Sequence, residues 1–111
     1  MSYKRNIKKS DLVLGKSIEK LRMLKDVSRR QLGRIINKNE QKIQKYETGQ
    51  DFVPLPIMEK IAIALDQPVN KKIIRRISFI RKTEFEENVQ LDDELILLYE
   101  EAFHIDEDDY L

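Results

Sequence analysis

Apolar residues recur every three or four positions through most of this chain, and no stretch alternates apolar and polar as a half-buried strand does. The pattern predicts six helices. The first runs from Asp11 to about Lys25, with Leu14, Ile18, Leu21 and Leu24 facing inward. Ser28 is a good N-cap for a second, ending at Ile36, with Leu32, Ile35 and Ile36 as its apolar face. Asn37-Lys38-Asn39 interrupts the periodicity. Asparagine accepts the left-handed backbone that a tight inter-helix turn needs, and Asn39 can cap a third helix. That helix runs to about Thr48, where Gly49 stops it, and only Ile43 and Tyr46 are clear inward anchors. Gln50 to Val53 is a loop. A fourth helix starts near Pro56, where a first turn tolerates proline, and reaches Leu65. Its expected core residues are Ile57, Ile61, Ala64 and Leu65. A fifth spans Val69 to about Phe85, with Ile73, Ile74, Ile77 and Ile80 inward and Lys71, Lys72, Arg75, Arg76, Arg81 and Lys82 outward. A sixth covers Leu91 to His104. Asp92, Asp93 and Glu94 near its start suit the helix dipole.

An all-α fold follows, with one domain or one domain and an appendage in 111 residues. The absence of cysteine excludes disulfides and thiolate metal sites. No apolar run approaches a membrane span, and no signal-type apolar stretch is present, so no membrane partner is expected. The setting expected is cytoplasmic, on the nucleoid.

Charge adds what the periodicity does not contain. Residues 1–83 hold all 21 Lys and Arg and eight acids, a net +13, whereas residues 84–111 hold the other twelve acids and no base, a net −12. A basic body fits a polyanion partner. The segment 1–9 reads as a flexible basic arm and 106–111 as a solvated acidic tail. Consecutive acids without a turn glycine make a poor calcium site. His104, the single histidine, reads as a surface residue. No Ser-His-Asp set, phosphate loop or zinc spacing appears. Neither an enzyme nor a cofactor is expected.

The third helix carries the most specific chemistry. Between its two anchors lie Glu40, Gln41, Lys42, Gln44 and Lys45, a polar row suited to a DNA major groove. Gln41 is the leading base reader, since glutamine can bond N6 and N7 of adenine. Lys45, one turn later, reaches guanine or a phosphate, and Gln44 is the third candidate. Glu40 either accepts from cytosine N4 or stabilises the first turn. Arg29 and Arg30, with Lys38 and Lys42, are the expected phosphate contacts, which add affinity without sequence information.

The segment resembles the helix-turn-helix of the phage repressor, Cro and Xre family. The residues that carry the likeness are Val27-Ser28-Arg29, Leu32-Gly33, Asn37-Lys38-Asn39, Ile43, Tyr46-Glu47 and Gly49. It extends to Leu14-Gly15 through Leu24 and to Pro54 through Leu65, about half the chain. The resemblance implies a lambda-repressor-like DNA-binding domain over 10–68, with base readers at Glu40, Gln41 and Lys45. It also implies a structural ion pair between Arg22 and Glu47. Three residues depart from the family pattern: Arg29 for a Gln, Lys38 for an apolar turn residue, and Gly33 for an Ala.

Residues 69–111 lie beyond the shared region. Their apolar stripe, Leu91, Leu95, Leu98, Tyr99 and Phe103, is expected to lie at least partly between the subunits of a dimer, with the fifth helix closing the core; the alternative is that both helices fold back onto their own four-helix core. The sequence reading is a homodimeric, sequence-specific regulator of transcription on double-stranded DNA, most simply a repressor at a palindromic operator. The acidic sixth helix offers a surface for a further protein partner. Two alternatives stay open: an antitoxin of the same fold that also sequesters a toxin, and an interaction adaptor that no longer binds DNA.

Overall fold

A computed structural model describes residues 7–104. Six helices make up its regular structure: α1 (Lys9–Leu24), α2 (Arg29–Ile36), α3 (Glu40–Glu47), α4 (Leu55–Ala64), α5 (Lys71–Glu87) and α6 (Asp92–Ala102). The fold is all-α, as the periodicity predicts. None of these helices is long and apolar enough to cross a membrane. Lys4 and Arg5 of the expected arm, and the acids from Asp106 onward, lie outside the described residues.

The helix boundaries follow from their caps. Ser28 Oγ accepts from Gln31 N at 3.0 Å while Gln31 Oε1 accepts from Ser28 N at 2.8 Å, a reciprocal capping box. Asn39 Oδ1 accepts from Lys42 N at 2.8 Å and starts α3. Five left-handed residues end helices or follow them closely: Asp26, Asn37, Gly49, Asp66 and Asn88. Four of these are Asn or Asp, whose short polar side chains tolerate that backbone best after glycine.

One core runs through all six helices. It includes Leu14, Ile18 and Leu21 from α1, Leu32 and Ile36 from α2, Ile43 and Tyr46 from α3, Met58 and Ile61 from α4, Ile77 from α5 and Leu95 and Tyr99 from α6. Several inward assignments change in the folded chain. Ile35 is 59% exposed. Leu32, Gly33 and Ile36 already supply the buried face of an eight-residue helix, leaving Ile35 in a shallow groove beside Ile63 of α4. In α5 only Ile77 is buried, and Ile73, Ile74 and Ile80 sit partly buried at the core's edge. In α4, Met58 and Ala62 join Ile61 inside, while Ile57 and Ala64 are partly buried.

The largest correction concerns α6. Leu95, Leu98, Tyr99 and Phe103 are buried within the chain itself, with Leu91 half-buried beside them. Helix α6 packs along α1. The stripe expected to dimerise therefore has little apolar surface left for a second copy. Polar contacts fix this packing. Ser10 Oγ donates to Asp92 Oδ1 at 3.0 Å, Lys8 Nζ lies 3.4 Å from Glu84 Oε2, and Glu84 Oε2 accepts from Leu91 N at 2.9 Å. Ser10 thus serves a tertiary contact, and α1 begins at Lys9, two residues before the expected start at Asp11. Arg81 of α5 joins the same region to the loop after α3. Its Nε donates to Tyr99 Oη at 3.0 Å and its guanidinium carbon lies 4.4 Å from the centre of the Phe52 ring.

Candidate nucleic-acid interface

Helix α3 is eight residues long, so it has only two turns with which to hold its orientation. Ile43 and Tyr46 point into the core and are almost completely buried. The spacing that places them inside puts Glu40, Gln41, Gln44 and Lys45 outside, one and four residues apart on the opposite face. All four are exposed. Among the described residues, the side chains of Gln41, Gln44 and Lys45 make no hydrogen bond or ion pair. Glu40, the first residue after the cap, sits where a carboxylate complements the helix dipole. The four predicted readers are thus brought to one accessible helix face.

The preceding turn is tight because of glycine. A Cβ on Gly33 would collide with the backbone carbonyl oxygen of Lys38, and Lys38 N donates to Gly33 O at 2.7 Å. The side chain of Lys38 is turned to the outside, so this turn closes on backbone contacts and does without the usual apolar plug. At the other end of the motif, a Cβ on Gly15 would collide with the carbonyl oxygens of Tyr46 and Glu47. Helices α1 and α3 can cross this closely only because α1 is bare at that point.

Glu47 closes α3. Its side chain is 0% exposed. A carboxylate in the last turn faces the negative end of the helix dipole, and burial adds a desolvation cost. Two guanidinium groups offset both. Arg22 from α1 donates through Nε to Glu47 Oε2 at 2.7 Å and through Nη2 to Oε1 at 3.1 Å, while its Nη1 donates to the Val27 carbonyl at 2.9 Å. Arg29 from α2 donates through Nε to Glu47 Oε1 at 2.9 Å and through Nη2 to Glu19 Oε2 at 3.2 Å. The hydrogen bond that Arg29 donates to Glu47 is the main reason that the Arg29 proton is held more tightly than usual. One buried carboxylate therefore ties α1, α2 and α3 together at the foot of the outward face.

This network changes the position of Arg29. It was expected at the phosphates, but its fork is already engaged by Glu47 and Glu19. Arg30 and Lys38 remain exposed. Lys42 is only partly exposed. Its Nζ donates to Asp51 Oδ2 at 2.7 Å and lies 5.5 Å from the Tyr46 ring centre. Such a surface pair is worth about 0–1 kcal/mol. Glu19 and Asp51 escaped the sequence reading as contributors, and Gly15 entered it only through the family likeness. Glu19 and Arg29 sit on different helices, where no i, i+4 rule links them, and the role of Gly15 depends on a crossing that only the fold creates.

The fold defines an all-helical helix-turn-helix protein in which a short capped helix presents a polar row. The sequence has relatives of the same description. It is 38% identical over 64 residues to an uncharacterized HTH-type transcriptional regulator of Rickettsia conorii, covering 58% of this chain and 51% of that one. It is 36% identical over 64 residues to an uncharacterized HTH-type transcriptional regulator of Rickettsia prowazekii, covering 58% and 49% respectively. The chain thus spans about half the length of the curated relatives it matches. No family model and no solved structure matches the sequence.

Proposed function

We propose that this chain is a sequence-specific DNA-binding regulator of transcription, of the phage repressor and Xre type, that inserts α3 into the major groove. One observation carries the reading: Glu40, Gln41, Gln44 and Lys45 share the exposed face of a helix that is tied to α1 and α2 through the buried carboxylate of Glu47, held by Arg22 and Arg29. The names of the two rickettsial relatives agree with it.

In this reading Gln41 reads adenine, Lys45 reads guanine or holds a phosphate, and Gln44 supports them. Arg30, Lys38 and Lys42 neutralise phosphates. Arg22, Arg29 and Glu47 position the helix without touching bases. The protein acts as a homodimer on a palindrome whose half-sites lie about one helical turn, roughly 34 Å, apart. Occupancy of that operator excludes polymerase, which makes repression the expected sign.

Selection from a random DNA library at near-physiological salt tests the proposal. It should return a palindrome with that spacing, and recovery of no sequence preference would refute sequence-specific reading. Arg30→Ala should then weaken operator and random DNA alike. It should also reduce the slope of log affinity against log salt by about one. Titration of labelled duplexes at several salt concentrations checks this. An unchanged slope would remove Arg30 from the phosphate contacts.

A further inference from the structure

With the α6 stripe buried, any dimer must use another surface, and two exposed helix faces match each other. On α5, Phe79 is 69% exposed. Arg76, Arg75 and Lys72 lie three, four and seven residues before it, on the same face, and all three are exposed. On α6, Leu97 is 67% exposed. Asp93 and Glu94 precede it by four and three residues, Glu100 and Glu101 follow by three and four, and all four are exposed. The α6 face is thus one large apolar side chain flanked on both sides by acids, and the α5 face is a basic row that leads up to Phe79, beyond which Lys82 lies 3.8 Å from Glu86. The two stripes have similar lengths, roughly 10 and 12 Å at 1.5 Å per residue.

A scattered surface Phe or Leu needs no explanation. Here Leu97 sits between acids and Phe79 beside bases, so the charges next to the two are opposite. We propose that the α5 stripe of one copy docks on the α6 stripe of a second copy, and reciprocally, so that Phe79 meets Leu97 between facing rows of opposite charge. The observation that selects a second copy as occupant is that one chain carries both halves. In a two-fold pair, if residue i contacts residue j, then j contacts i, so both contacts form at once. DNA would suit the basic α5 stripe by charge but would leave Phe79 against phosphates and α6 without a role. The inference deepens the dimeric part of the proposed function and rests on it. The groove-reading role of α3 is independent of it.

Charge exchange on the full chain tests the interface. Arg75→Glu with Arg76→Glu makes α5 acidic beside an acidic α6. Glu94→Lys with Glu100→Lys and Glu101→Lys leaves Asp93 as the one acid of the α6 stripe and makes it basic beside a basic α5. Each variant should raise the dimer dissociation constant about tenfold or more, because like charges then face each other in both contacts. An equimolar mixture should form a heterodimer, since both of its contacts are again of opposite sign. Sedimentation velocity and native mass spectrometry read the outcome, and far-UV circular dichroism checks that each variant is folded. A wild-type chain that stays monomeric would overturn the proposal. So would variants that remain homodimers, or variants that dissociate but do not pair when mixed. If the exchange fails while a palindrome is still recovered from the library, the dimeric reading stands. Its interface would then lie elsewhere, with the groove between Ile35 and Ile63 the next place to look.

Discussion

Glu47→Ala should destabilise the fold by about 3–5 kcal/mol, the usual cost of removing one partner from a buried ion pair. The substitution leaves Arg22, only 9% exposed, facing no carboxylate at the centre of the α1–α2–α3 junction. It also removes three hydrogen bonds, two from Arg22 and one from Arg29. In a domain of this size each 1 kcal/mol lowers Tm by roughly 4–8 °C, so thermal and urea unfolding followed by circular dichroism would register the loss clearly. Glu47→Gln retains an acceptor and should lie between wild type and alanine. Because Glu47 sits behind α3, both substitutions should also lower DNA affinity without altering which base is preferred. A wild-type Tm for Glu47→Ala would show that the network does not hold α3.

Gly15→Ala sets two effects against each other, and their magnitudes decide the sign. Helix propensity alone favours alanine by about 1 kcal/mol. The added Cβ, however, meets the carbonyl oxygens of Tyr46 and Glu47, backbone atoms that cannot move aside as a flexible side chain can. Overpacking of this kind costs typically about 1–3 kcal/mol. The net expectation is a less stable protein in which the end of α3 is pushed away from α1. DNA binding should weaken together with stability, as urea unfolding and duplex titration would reveal. A more stable Gly15→Ala protein would mean that the α1–α3 crossing is looser than described.

Much of this arrangement was legible in the sequence because it depends on local rules. Ser28 and Asn39 cap helices through side-chain chemistry that acts within three residues, and Asn37 and Gly49 mark turns through their own backbone preferences. Ile43 and Tyr46 identify the buried side of α3, and the exposed side follows by periodicity. What escaped depends on distant partners. The hydroxyl of Ser10 is taken by Asp92, 82 residues away. Arg29 looks like a free cation until Glu19 and Glu47 converge on it. The stripe on α6 is amphipathic enough for either a core or an interface, and only its packing along α1 separates the two. Ile35 shares the periodicity of the core yet lies outside, because an eight-residue helix has room for a narrow buried face.

If the exposed face of α3 reads base edges, removing the Gln41 amide must cost discrimination and not general affinity. The affinities of wild type and Gln41→Ala are measured on the selected operator, on operators changed one base pair at a time, and on random DNA, all at the same salt. A lost bidentate contact is worth about 1–3 kcal/mol of discrimination, roughly a five- to 150-fold loss on the operator. The account predicts that loss confined to one base position in each half-site, with random-DNA affinity nearly unchanged. Equal weakening on operator and random DNA would show that Gln41 only adds general affinity, and would contradict the assignment of α3 as the reading helix.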